Sequence, residues 1–371
     1  MKITKIETFH LKPRWHFIKI STDEGISGWG EPVVEGRAKT VEMAVRELEP
    51  LLINANPLEI ERIWTTMYRG TFYRGGPILV SAISGIDQAL WDIKGKYHGV
   101  PVYGLLGGPT RERVRTYAHC NGATVEEFIE SAKARIAEGF TAIKTGIEGP
   151  VRPLDTPEFI EKFVKKVGDI RAALPKHVDI AVDFHGKVTP AMAIRIIKEL
   201  EPFHLLFVEE PCQCENVDAM VTIARSTSIP IATGERLYTR WGYREVVEKQ
   251  AAAILQPDIS HCGGITEARK IAAMAETYYV QIAPHCPLGP ISLAAGLQVD
   301  ASIPNFLAQE QVSLGEGYLK TPFRVVDGHI QLPQLPGLGI EVDEDAIKSK
   351  IYDGSWDTPR WNNDDGSFTE W

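Results

Sequence analysis

The sequence predicts an α/β protein centred on a TIM-type barrel, and three observations carry that reading. From about residue 114 onward, eight short apolar runs alternate with helical stretches: VRTYAH, AIKTGI, IAVDFHG, LLFVEEP, IPIATGE, AILQPD, VQIAPH and FLAQEQ. The intervening stretches carry helix-start signals. Thr124 and Glu127 form a capping box, and Thr156-Pro157 and Thr189-Pro190 each place a cap before a proline of the first turn. The segment before residue 114 has another texture, alternating strands followed by a long helical pattern, which predicts an α+β unit ahead of the barrel.

The runs ITKIETFHL and WHFIKISTDEGISGWGE alternate in polarity, with a turn signal at Asp23-Glu24-Gly25, and predict an antiparallel meander. In SAISGIDQALWDIKGK, Ala82, Ile86, Leu90 and Ile93 share one face and Asp92 stands four residues before Lys96. That spacing predicts a packed helix with a solvated ion pair. Gly107-Gly108-Pro109 marks a boundary. The expected organisation is therefore 1–113, 114–315 as the barrel, and an irregular 316–371 that runs through PGLGIEVDE to an acidic, tryptophan-rich end. The segment MYRGTFYRGGP, with Arg69, Phe72, Tyr73 and Arg74, reads equally well as a substrate-covering loop or an exposed turn.

With 44% hydrophobic and 24% charged residues over 371 positions, the chain is neither disordered nor fibrous. A formal charge of −9 repels polyanions, so nucleic acid and anionic membrane are poor partners and a small metabolite remains. No apolar leader and no bilayer-length apolar run is present, so the default compartment is the cytoplasm. The five cysteines are an odd number without a CxxC spacing and read as reduced thiols. Gly28-Trp29-Gly30 is not followed by a βαβ unit and is no dinucleotide fingerprint. No GxSxG or GxxxxGK motif occurs.

Chemistry on a barrel sits at the C-terminal strand ends. The residues closing the runs are Lys144, Asp183 with His185, Glu209, Glu235, Asp258, His285 and Glu310. Unpaired charges crowded at a barrel mouth repel one another and are costly to desolvate, so stability is a poor reason for them. Asp183, Glu209 and Glu235 follow one another at intervals of 26 residues, one βα unit each. Neighbouring strands lie about 4.8 Å apart, so three carboxylates there can converge on a point that a cation makes tolerable. An all-oxygen set favours Mg²⁺, with Mn²⁺ as a substitute. His185 shares a strand face with Asp183. Asp258 and His285 close neighbouring strands, where a carboxylate can orient an imidazole and raise its basicity.

These residues resemble a known family. DFHG, FVEEP, ATGER, LQPDISHCGGITE and APHCPLGP look like the enolase superfamily and its mandelate racemase-like subgroup. PRWHFIKISTDEGISGWGEPVVEGRAKTV, FYRGGPILVSAISGIDQALWDIKGK and PGLGIEVDE look like its D-galactonate dehydratase branch, over nearly the whole chain. The resemblance implies a modified (β/α)₇β barrel under an α+β capping domain built from the N-terminal segment and the C-terminal tail, and assembly into a homo-oligomer. It implies metal ligation by Asp183, Glu209 and Glu235, His285 as base with Asp258 as its partner, and His185 as acid. Lys144 and Glu310 would add electrostatic support. Racemases of the superfamily carry Lys-x-Lys at the second barrel strand, whereas this chain reads Lys144-Thr145-Gly146, which argues for one-sided proton removal and elimination. The stretch from Ala118 to Thr156 and the RLYTRWGY segment look less like the galactonate enzymes. Arg14, Trp15 and Tyr73 are the candidates for contacts to a sugar acid. Other expectations are an epimerase, a cycloisomerase or a dehydratase of another aldonate or aldarate, and, outside catalysis, a metabolite-sensing barrel.

Overall fold

The computed structural model describes all 371 residues. Strands β1 (Ile3–Leu11), β2 (Trp15–Thr22) and β3 (Ser27–Gly30) form an antiparallel sheet in the order β1-β2-β3, with the turn where Asp23-Glu24-Gly25 placed it. Helices α1 (Ala38–Leu52), α2 (Ile60–Arg69) and α3 (Pro77–His98) cover one side. Ile6, Ile18 and Ile20 of the sheet pack there against Val41, Val45, Ile86 and Leu90.

After α4 (Val102–Leu105) and the short β4 (Arg113–Arg115), seven parallel strands follow in sequence order around a wall: β5 (Ala118–His119), β6 (Ala142–Gly146), β7 (Asp179–Asp183), β8 (Phe207–Glu209), β9 (Ile231–Thr233), β10 (Ile254–Leu255) and β11 (Gln281–Ile282). The connecting helices are α5 (Val125–Ala137), α6 (Pro157–Ala173), α7 (Pro190–Leu200), α8 (Val217–Ala224), α9 (Thr239–Glu248), α10 (Gly264–Glu276) and α11 (Pro290–Asp300). The predicted caps are made: Thr124, Thr156 and Thr189 each accept from the amide three residues on. FLAQEQ, expected as an eighth strand, forms only single bridges, Ile282 with Phe306 and Thr116 with Gln309. These still close the wall, because Leu307 donates to Ile282 on one side and Gln309 to Arg115 on the other.

Ala181, Phe207, Ala232, Ile254 and Ala283 pack together from consecutive units of the wall, and Tyr117, Ala142 and Ala308 form a companion group. These inward side chains floor the site, since alternation places the residue two positions later on the same side.

The tail runs back over the N-terminal sheet. Strands β12 (Val325–Val326) and β13 (His329–Gln331) join β4, and a short α12 (Glu344–Lys348) follows. Ile351 bridges to Leu11, and β14 (Trp361–Asn362) and β15 (Phe368–Thr369) end the chain as a hairpin tied to the barrel by Thr369 Oγ1 donating to the Val151 carbonyl at 2.8 Å. The Asp92–Lys96 pair forms at 2.7 Å but is not solvated: Asp92 is buried and also accepts from the Trp29 and Leu338 amides. Its carboxylate thus fastens β3, α3 and the tail together, a role that helical spacing alone does not reveal. No helix is long and apolar enough to cross a membrane. All five cysteines are free thiols.

Candidate active site

A cavity of about 850 Å³ opens at the C-terminal ends of the barrel strands. Five polar residues at this end of the barrel follow from the alternation just described. Two residues after Ala142, Ala181, Phe207, Ala283 and Ala308 come Lys144, Asp183, Glu209, His285 and Glu310.

Lys144 is the hub. Its ammonium lies 3.1 Å from Glu209, 2.8 Å from Glu310 and 3.4 Å from Asp183. Burial works against that charge, but Glu209, Glu310, Tyr117 and Asp183 outweigh it, so Lys144 is held as a cation well above the ordinary lysine range. Burial and then Asp183 push the Glu209 carboxyl well above the usual range. Burial would also raise Asp183, yet His185 and Lys144 bring it below that range.

His285 sits between carboxylates, its Nδ1 2.8 Å from Asp258 and its Nε2 3.5 Å from Glu235. Burial opposes the imidazolium, but Glu235 and Asp258 win and raise its pKa well above the ordinary histidine value. On the other side, the Nε2 of His185 lies 3.2 Å from Asp183, whose charge raises the pKa of that imidazole despite burial. The indole of Trp371 stands edge-on to His185, ring centroids 6.0 Å apart.

The structure brings Lys144, Asp183, His185, Glu235, His285 and Glu310 together on the cavity wall, with Glu209 and Asp258 buried behind it. Asp183, Glu209 and Glu235 do not form a closed cage of metal ligands, because Lys144 bridges the first two and Glu235 leans toward His285. Among the substrate candidates, Arg14 lines the cavity, paired to Glu35 at 2.6 Å and donating to the Pro287 carbonyl at 2.9 Å. Trp15 does not line it: β2 alternation turns the indole into the core, where it is 4% exposed. Tyr73 does not line it either; it stands 85% exposed beside Phe72 on the turn between α2 and α3.

The sequence reading passed over His119, which ends the first barrel strand two residues after Tyr117 and lies 2.9 Å from Glu310. The strand-end rule covered it. Arg236, next to Glu235, and His261, bonded to Ser81 of α3 at 3.0 Å, also face the cavity. So do Arg360, Glu370 and Trp371, which no local signal ties to the barrel because the tail arrives from far along the chain.

Residues 4–107 match the N-terminal domain of mandelate racemase and muconate lactonizing enzyme, and residues 127–346 match the enolase C-terminal domain-like family. The chain is 49% identical to the D-galactonate dehydratase of Ralstonia pickettii and 47% identical to that of Cronobacter sakazakii, in each case over all of both chains. Among solved structures, it is similar to a mandelate racemase/muconate lactonizing enzyme from Sulfitobacter, at 35% identity and a TM-score of 0.91, covering 97% of this chain and 99% of that one. A member of the enolase superfamily from Salmonella Typhimurium aligns at 35% identity and a TM-score of 0.86, over 94% and 97% of the two chains. With its barrel, its cap and both family matches in agreement, the chain belongs to the enolase superfamily, in the mandelate racemase/muconate lactonizing enzyme branch.

Proposed function

We propose that this protein is a Mg²⁺-dependent sugar acid dehydratase, a hydro-lyase converting D-galactonate to 2-dehydro-3-deoxy-D-galactonate and water. In this reading residues 114–315 carry the chemistry, while 1–113 and 316–371 close over it. The observation that carries the reaction type is the placement of two histidines on opposite walls of one cavity, each backed by its own carboxylate.

Asp183, Glu209 and Glu235 fit a hard divalent cation: all their donors are oxygens, and the buried Oε2 of Glu235 has no hydrogen-bond partner. When bound, Mg²⁺ would offset both the charge of this trio and the charge that builds on a substrate carboxylate.

A proton next to a carboxylate is weakly acidic because its removal creates a second negative charge. Lys144 answers part of that with a fixed positive charge in a buried setting. Asp258 accepts from Nδ1–H of His285, which fixes the tautomer and turns Nε2 to the cavity to take the C2 proton. Hydroxide leaves poorly on its own. His185, whose pKa the Asp183 charge raises, gives its proton to the departing C3 hydroxyl. The enol then ketonises. No second lysine stands beside Lys144 where racemases of the superfamily carry one, which favours elimination over racemisation.

The similarity to enzymes called D-galactonate dehydratase favours galactonate among aldonates. Incubating the protein with Mg²⁺ and a panel of sugar acids, and following keto-acid formation, tests this. D-galactonate should react fastest; preference for another aldonate overturns the substrate, and no reaction with any of them overturns the dehydratase reading.

A further inference from the structure

His185 adopts a left-handed backbone, φ 51°, as do Gly186 after it at 65° and Glu210 on the neighbouring strand at 43°. Non-glycine residues rarely hold such a conformation unless the surroundings over-determine it. Here they do. The His185 amide donates to Asp183 Oδ1 at 2.8 Å, and the Gly186 amide to the Glu210 carbonyl at 2.7 Å. The Gly186 carbonyl accepts from Gln213 Nε2 at 3.1 Å, and Gln213 Oε1 accepts from Arg236 at 2.7 Å. Arg236 Nε in turn donates at 2.8 Å to the buried carboxylate of Glu210, which Thr233 also reaches. The chain of bonds ties together the loops after β7, β8 and β9. A Cβ on Gly186 would stand 2.5 Å from Arg236 Nη2 and 3.2 Å from Gln213 Nε2, so there is no slack.

We propose that Gln213 and Glu210, joined through Arg236, are positioning residues that latch the acid His185 in its strained pose. The inference rests on the acid role given to His185 above. Gln213 does not line the cavity; it reaches the site through Gly186 and through Arg236. The latch has no hydrogen bond to Asp258 or His285, so its loss should weigh on the second half of the reaction more than on proton removal.

The test uses Gln213→Leu, with Gly186→Ala as a second variant that crowds the same contact. Crystal structures of wild type and both variants read the φ of His185 and its approach to Asp183. With D-galactonate and Mg²⁺ in deuterated solvent, C2 exchange and keto-acid release are followed together. Release should fall roughly 10²-fold, the size of effect that about 1 Å of misplacement causes, so that the ratio of exchange to release rises at least about tenfold. His185 should leave the left-handed region in at least one variant. An unmoved His185 with unchanged release in both variants overturns the latch, and so does a parallel fall of exchange and release. If no sugar acid reacts even with wild type, the functional reading fails, and the φ comparison still decides the latch.

Discussion

The Nδ1 of His285 lies 2.8 Å from a carboxylate oxygen of Asp258, itself fully buried and fixed by the Ser260 amide at 2.7 Å. The imidazole is thereby oriented from behind, with its other nitrogen toward the cavity. Asp258→Asn removes the partner that selects the tautomer. Its kcat should fall by about 10²-fold or more with KM little changed, since general-base terms are typically worth 10² to 10⁴. Steady-state kinetics check this.

Glu235 faces the other nitrogen, and in the metal-free protein its charge raises the His285 pKa. Glu235→Gln should therefore lower the His285 pKa. An imidazole NMR titration of wild type and variant reads the shift, and an unchanged value would contradict the geometry.

Divalent-ion binding should depend on the three strand-end carboxylates together. Titration calorimetry with Mg²⁺ alone should show one site in wild type, abolished in Asp183→Asn and in Glu235→Gln. Chelation should remove activity, and Mg²⁺ or Mn²⁺ should restore it.

Asp92 joins three parts of the fold through one buried carboxylate. Asp92→Ala leaves two buried amides without their acceptor and Lys96 with only the Ser27 carbonyl, and should cost about 3 kcal/mol or more in unfolding free energy. Denaturant unfolding measures it.

Burial raises the Glu31 carboxyl to about 8, against the pull of the Ser292 and Gly289 amides. The folded protein therefore keeps a proton on Glu31 that the unfolded chain has released above about pH 4.5. Its contribution to stability is full below that point and is lost as pH rises toward 8. Melting temperature against pH should fall less steeply over this window in Glu31→Gln than in wild type.

Much of this was legible in the sequence, for a physical reason. On a parallel barrel the strand-end rule and two-residue alternation act locally, so Lys144, Asp183, Glu209, His285 and Glu310 can be found from their own strands. His119 obeys the same rule. What stayed hidden depends on contacts across the chain. The burial of Asp92, the arrival of Trp371 at His185 and the latch through Gln213 each need a partner remote in sequence. Trp15 and Tyr73 were candidates from the capping segment, whereas strand alternation and an outward turn decide where they point. The eighth strand was found by its apolar run, but hydrogen-bonds too sparsely to form a ladder.

The central claim is that one imidazole removes a proton and the other releases water. Deuterium incorporation at C2 of D-galactonate, followed by NMR with Mg²⁺ in His185→Asn and His285→Asn, tests it most directly. The account predicts that His185→Asn still exchanges the proton while forming no keto acid, and that His285→Asn does neither. Normal exchange in His285→Asn would contradict it.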